Sequence, residues 1–177
     1  GGRSCSTCYD VLRWATARGG VPARSGVGVS RLGLRAARFA RVGDEQLGRV
    51  VRAQLQQAGV NVDHVSTDPR RLTALVFLAV RDRDSFPHIF YRENCADMAL
   101  AEGHIAPDFI ASATGLLVSG TLLSQESTRR ACPRAIALAS ASAIRVILDL
   151  DYRPVLAGLA VAEDGGGGAA VGLVAFR

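Results

Sequence analysis

Lysine is missing from this chain. All 21 basic side chains are arginine, which excludes a Schiff-base lysine and a Walker-type phosphate loop, since both need the amine. Aromatic residues are scarce, at 6% with a single tryptophan, so a core has to be built from Leu, Val, Ile and Ala. No apolar run reaches the roughly 18 residues that a membrane helix requires. Arg3, Asp10, Arg13 and Arg18 interrupt any signal-peptide core at the start of the chain. The three histidines, His64, His88 and His104, are isolated in expected turns or surface positions and read as solvated side chains. No Ser-His-Asp or Cys-His arrangement follows from their spacing. Cysteine is also sparse. Cys5 and Cys8 form a C-x-x-C pair, either redox-active or half of a zinc site, but Cys95 and Cys132 stand far apart with no histidine beside them. A structural zinc site usually takes two close pairs. The expectation is no metal site and reduced thiols in the cytoplasm.

What is present is globular. The 177 residues suit one ordinary domain, with 49% hydrophobic and 21% charged side chains. The net charge of +5 is mild, and acidic residues interleave with the arginines, as on a solvated surface. Neither nucleic acid nor membrane is expected as a partner; an anionic small substrate suits the balance.

Residues 1–18 show no periodicity. Pro22 to Leu32 reads as a helix ended by Gly33, and 35–42 as a strand. Asp44 is the expected cap of a helix whose Leu47, Val50, Val51 and Leu55 share a face, and Gly59 stops it. A short strand is expected over 60–65. Two strands, 72–80 and 87–92, could pair as a hairpin across a charged turn. A short helix at 107–111, a buried strand at 115–119, a helix over 124–143 that Pro133 would kink or delay, and a strand at 145–150 complete the pattern. Strands alternating with helices give an α/β fold with a mostly parallel sheet, interrupted by the hairpin as an inserted lid. The stretch 161–177, with four glycines at 165–168, reads as a loose Gly/Ala-rich tail.

Three clusters could carry chemistry. Gly26 and Gly28 begin a G-x-G-x-x-G pattern, but Arg31 occupies the third glycine position, so no dinucleotide fingerprint exists. What remains is a Gly-rich turn opening a helix, where backbone N–H groups could meet a polar ligand. Arg92-Glu93-Asn94 and Asp149 to Pro154 each follow a strand, where ligands bind in open α/β sheets. Arg92 and Arg153 there either recognise a carboxylate or phosphate, or pair with local acids such as Glu93 and Asp149.

Five blocks in order (GGVPARSGVGVSRLG at 19–33, RVGDEQLGR at 41–49, DPRRLTALVFLAVRD at 68–82, FPHIFYRENCADMAL at 86–100 and LDLDYRPVL at 148–156) resemble the PfkB (ribokinase-like) carbohydrate kinases. FYRENCADMAL points to the 5-dehydro-2-deoxygluconokinase branch of inositol catabolism. The resemblance implies a Rossmann-like three-layer α/β/α fold with a small β lid, carried by residues 19–160 between the unmatched segment 1–18 and the tail. It implies ATP- and Mg2+-dependent phosphorylation of a sugar-acid hydroxyl in the cytoplasm. Gly19 and Gly20 would belong to the sugar loop, Phe90 and Arg92 would meet the acidic substrate from the lid, and Arg153 would sit near the sugar and the transferred phosphoryl group. Arg24 stands where the family loop has asparagine.

The family's G-A-G-D motif, with the catalytic aspartate and the anion hole, would lie beyond Arg177 together with the nucleotide pocket. The chain is therefore expected to be the sugar-binding and lid half of such a kinase, incomplete and inactive by itself, with a homodimer through the lid. Missing sheet strands would leave the apolar faces of Leu116 to Val118 and Val146 to Leu148 poorly covered. The other reading is an inactive degenerate fragment acting at most as a ligand-binding or self-associating module.

Overall fold

The computed structural model describes residues 21–78, 82–83, 88–124, 126–150 and 173–176. Helix α1 (Val21–Arg31) ends where expected, with Gly33 at φ 87°, in the left-handed region that glycine adopts freely. Gly26 and Gly28 lie inside this helix and not in a turn that opens it. Strand β1 (Ala36–Gly43) is buried along nearly its whole length. Helix α2 (Gln46–Gln57) is capped one residue later than expected. Glu45 accepts from the N–H groups of Leu47 (2.5 Å) and Gly48 (3.1 Å), while Asp44 is exposed. Leu47 is also exposed, and Gly48 takes the buried position. A Cβ on Gly48 would stand 2.1 Å from the Gly43 carbonyl oxygen, so only glycine lets helix and strand end approach this closely.

The single strand expected over 60–65 is two, β2 (Val60–Asn61) and β3 (Val65–Asp68). Between them the Asn61 side chain accepts from the Asp63 N–H at 2.8 Å, a local turn that competes with the ladder. Both pieces run parallel to β1. The expected hairpin is present. Strands β4 (Leu75–Leu78) and β5 (His88–Tyr91) pair antiparallel as a separate two-stranded sheet. Helix α3 (Pro107–Ala111) leads into strand β6 (Gly115–Ser119). Helix α4 (Glu126–Ala141) then continues through Pro133. Pro133 and Arg129, four residues earlier, are both exposed, so water can take over the carbonyl that loses its helical partner. Strand β7 (Arg145–Asp149) runs parallel to β6.

The tail holds the largest departure from the expected fold. Leu173–Phe176 forms strand β8, in the middle of the main sheet, whose order is β2-β1-β8-β6-β7 with β3 continuing along β1. It pairs antiparallel with both neighbours, from Ala36↔Phe176 on one side and Gly115↔Phe176 on the other. Two parallel halves would otherwise present open hydrogen-bonding edges, and LVAF is an apolar segment able to satisfy both. Leu116 and Val118, expected to be poorly covered, are fully buried as a result, whereas Ile147 and Leu148 on β7 are 41% and 54% exposed. Apolar clusters cover both sheet faces. Ala23, Val27, Ala36, Ala40 and Leu55 fill one, and Phe39, Ile110, Leu116, Ala135 and Ala175 the other, with α1 and α2 over the first and α3 and α4 over the second. Among the described residues no helix is long and apolar enough to cross a membrane.

Candidate functional site

The carboxyl ends of β1 and β3 meet the base of the lid, and a chain of backbone and carboxylate contacts fixes the two together. Gly43 N–H donates to Thr73 Oγ1 at 3.0 Å, and Thr73 N–H donates to Glu45 Oε1 at 2.9 Å. A Cβ on Gly43 would come within 2.6 Å of the Arg71 carbonyl oxygen, so the close approach depends on glycine here too. Burial opposes ionisation of Glu45, but its bonds to Thr73, Gly48 and Leu47 prevail and hold the carboxyl below its usual range.

Asp68, at the end of β3, is 2% exposed, and both its oxygens are fully engaged. Oδ1 accepts from the N–H groups of Arg70 (2.9 Å) and Arg71 (3.1 Å), and Oδ2 from Arg41 Nε (3.1 Å) and Arg71 Nη1 (3.1 Å). Burial again opposes the charge, yet these bonds and the Arg41 cation outweigh it and lower the carboxyl to about 2. Arg71 Nε also donates to Asn94 Oδ1 at 3.0 Å, and Ala96 N–H donates to the Leu72 carbonyl at 2.8 Å. The two ends of the lid are thereby tied to each other as well as to the sheet.

Phe90 lies in β5, and Arg92 follows directly after the strand's last residue, Tyr91. Phe90 is partly buried and Arg92 is 4% exposed. The partner of Arg92 is not Glu93, which is exposed, but Asp97. Arg92 Nε donates to Asp97 Oδ2 at 2.8 Å, while Arg92 Nη1 and Nη2 and Asp97 Oδ1 are buried with no hydrogen-bond partner. Asp97 sits in a short 3-10 helix, Ala96–Ala99. Its place inside the FYRENCADMAL block is the only signal that could have found it. Arg38 of β1 is buried near the same carboxylate; burial lowers its pKa to about 10, with the Asp97 charge acting the other way. Gly19, Gly20 and Arg153 lie outside the described residues, as do Cys5 and Cys8.

The histidines correct another expectation. His64 is not simply solvated: its ring packs 5.0 Å from Phe39 and 4.2 Å from Phe109, centroid to centroid. His104 is half-buried, and its Nε2 meets Arg41 Nη1. His88 begins β5. Cys95 and Cys132 are buried thiols; burial pushes Cys132 up to about 11 and raises Cys95 as well. A cavity of about 250 Å³ opens at the other end of β1, lined by Arg35, Ala36, Asn61, Phe109 and Ser112. It lies at the amino end of the strand, away from the end where open α/β sheets bind ligands.

Residues 9–162 match the model of the pfkB family carbohydrate kinases. The 5-dehydro-2-deoxygluconokinase of Listeria monocytogenes serovar 1/2a is 35% identical over 146 residues, which cover 82% of this chain and 45% of that protein. Among solved structures, an uncharacterized sugar kinase of Pyrococcus horikoshii superposes with a TM-score of 0.78 at 23% identity, over 87% of this chain and 50% of that one. A fructokinase of Xylella fastidiosa with bound ATP gives 0.73 at 25%, over 78% and 44%. The chain thus spans about half the length of the proteins it matches. With the α/β sheet, the two-stranded lid and this match over most of its length, the chain belongs to the PfkB family of carbohydrate kinases.

Proposed function

We propose that this chain supplies the sugar-acid side of an ATP-dependent kinase acting on 5-dehydro-2-deoxygluconate or a close relative. One observation carries the reading: Arg92, at the base of the lid, is buried with two guanidinium nitrogens lacking partners. Asp97 meets the charge of Arg92, but two buried donors without partners are costly, and a second carboxylate fits the open side of the guanidinium fork. The family resemblance gives Phe90 a contact to the acidic substrate beside Arg92, and gives Gly19, Gly20 and Arg153 further contacts to the sugar. ATP would supply the phosphoryl group and Mg2+ would neutralise its charge. Among the described residues no group of three or more His, Cys, Asp or Glu side chains is placed to hold a metal ion. The general base that takes the hydroxyl proton would belong to the G-A-G-D segment, which is absent from residues 1–177. Residues 1–177 alone are therefore expected to bind the acid without turnover, in the cytoplasm.

Titration calorimetry of the 177-residue chain with 5-dehydro-2-deoxygluconate, against the neutral 2-deoxyglucose, tests this. The acid should bind more tightly, and Arg92→Gln should lower its affinity by about tenfold or more, the worth of a charged hydrogen bond. Equal binding of acid and neutral sugar by the unaltered chain would sink the reading. A second reading, a self-associating module, is favoured by the lid surface, where Ile89 and Tyr91 are 42% and 57% exposed.

A further inference from the structure

The Arg92–Asp97 pair is joined by one bond where two are available. A guanidinium and a carboxylate commonly meet fork to fork, through two parallel N–H···O bonds. Here Asp97 Oδ2 takes only Nε, at 2.8 Å, and leaves its own Oδ1 and both Nη nitrogens unmatched. Both side chains are at most 5% exposed, so water does not compensate them. An ion pair serving stability alone gains nothing from three unsatisfied buried atoms.

Asp97 is itself firmly placed. Its helical turn begins at Ala96, whose N–H donates to the Leu72 carbonyl, and its own carbonyl accepts from Leu100 N–H at 3.4 Å. Cys95 N–H donates to the Arg92 carbonyl at 3.4 Å, so the arginine and its carboxylate are set by one continuous turn. Glu45 is committed to Leu47, Gly48 and Thr73.

We propose that Asp97 is a positioning residue: by engaging Arg92 Nε, it holds the guanidinium so that Nη1 and Nη2 are reserved for the acid group of the substrate. This rests on the reading that Arg92 meets that acid. Because the two nitrogens are buried, an entering carboxylate displaces the atoms that cover them, and its bonds form where the dielectric is low and they are strong.

The test uses the whole 177-residue chain with 5-dehydro-2-deoxygluconate and 2-deoxyglucose as probes. Asp97→Asn should lower acid affinity by about tenfold or more while leaving that of the neutral sugar unchanged, and Asp97→Glu should recover part of the loss. A purely structural role would weaken both sugars together. Circular dichroism melting identifies a variant that fails to fold. In that event the 15N side-chain resonances of Arg92 in the unaltered protein decide: its Nη signals should move with the acid and stay still with 2-deoxyglucose. Asp97→Asn keeping the full preference for acid overturns the positioning role and leaves the reading of Arg92 intact. No preference for acid in the unaltered chain, or still Nη signals, removes both.

Discussion

Two arginine–carboxylate groups flank the same lid and are built on opposite plans. Asp68 is saturated: four donors from Arg41, Arg70 and Arg71 occupy its two oxygens. Asp97 has one donor, from Arg92, and the pair leaves three buried atoms unmatched. The two carboxylates are nearly equally buried, so burial does not distinguish them, and hydrogen-bond satisfaction does. The saturated group ties the sheet end to the lid, and the unsaturated group has capacity for one more partner.

The largest expected effect comes from breaking the saturated side. Asp68→Ala removes the carboxylate shared by two backbone N–H groups and two partly exposed guanidinium groups and should destabilise the fold by about 2–3 kcal/mol in urea titration. The pH dependence carries the same signature. The folded carboxyl lies below its ordinary value, at about 2, so its stabilisation is complete above about pH 4 and is lost as pH falls toward 2. Asp68→Asn should lack that acid limb. An unchanged limb in the asparagine variant would assign it to another carboxylate.

A smaller effect should come from the unsaturated side. Replacing Arg92 and Asp97 together by leucine removes both charges and their three unmatched atoms but also the carboxylate charge that favours the buried Arg38 cation, and should destabilise the fold by less than Asp68→Ala does. A loss as large as that of Asp68→Ala would mean that the pair is structural and that the contrast fails. The smallest effect concerns the lid surface. Ile89 and Tyr91 are exposed on a sheet that has two strands among the described residues, which favours self-association. Ile89→Ser with Tyr91→Ser should shift sedimentation at tens of micromolar toward monomer by a few-fold, while melting stays unchanged; a chain that is already monomeric would remove the lid as an interface.

Most local elements are legible in the sequence because their signals are local. Gly33 and Gly59 end helices at positive φ, the apolar run of β6 is buried, and a charged break at 81–84 separates two strands that pair. Arg92 and Phe90 stand out as candidates through the motif that holds them. Asp97 lies in the same motif but does not stand out, because its bond to Arg92 exists only once the chain turns between the two residues. The histidines escape for a similar reason: a lone polar residue in a sequence does not reveal that Phe39 and Phe109 will pack against it.

By itself the sequence determined the α/β alternation, the lid and the family, since periodicity, turn residues and ordered motifs are properties of neighbouring positions. Only the tertiary structure decided where 173–176 goes. Four apolar residues beyond a glycine-rich stretch carry no sign of a central strand, yet β8 fills the gap between β1 and β6 and closes the sheet. The physical reason is that hydrogen-bond donors and acceptors on two facing strand edges must be met wherever the partner lies in the chain, and sequence order does not enter that requirement.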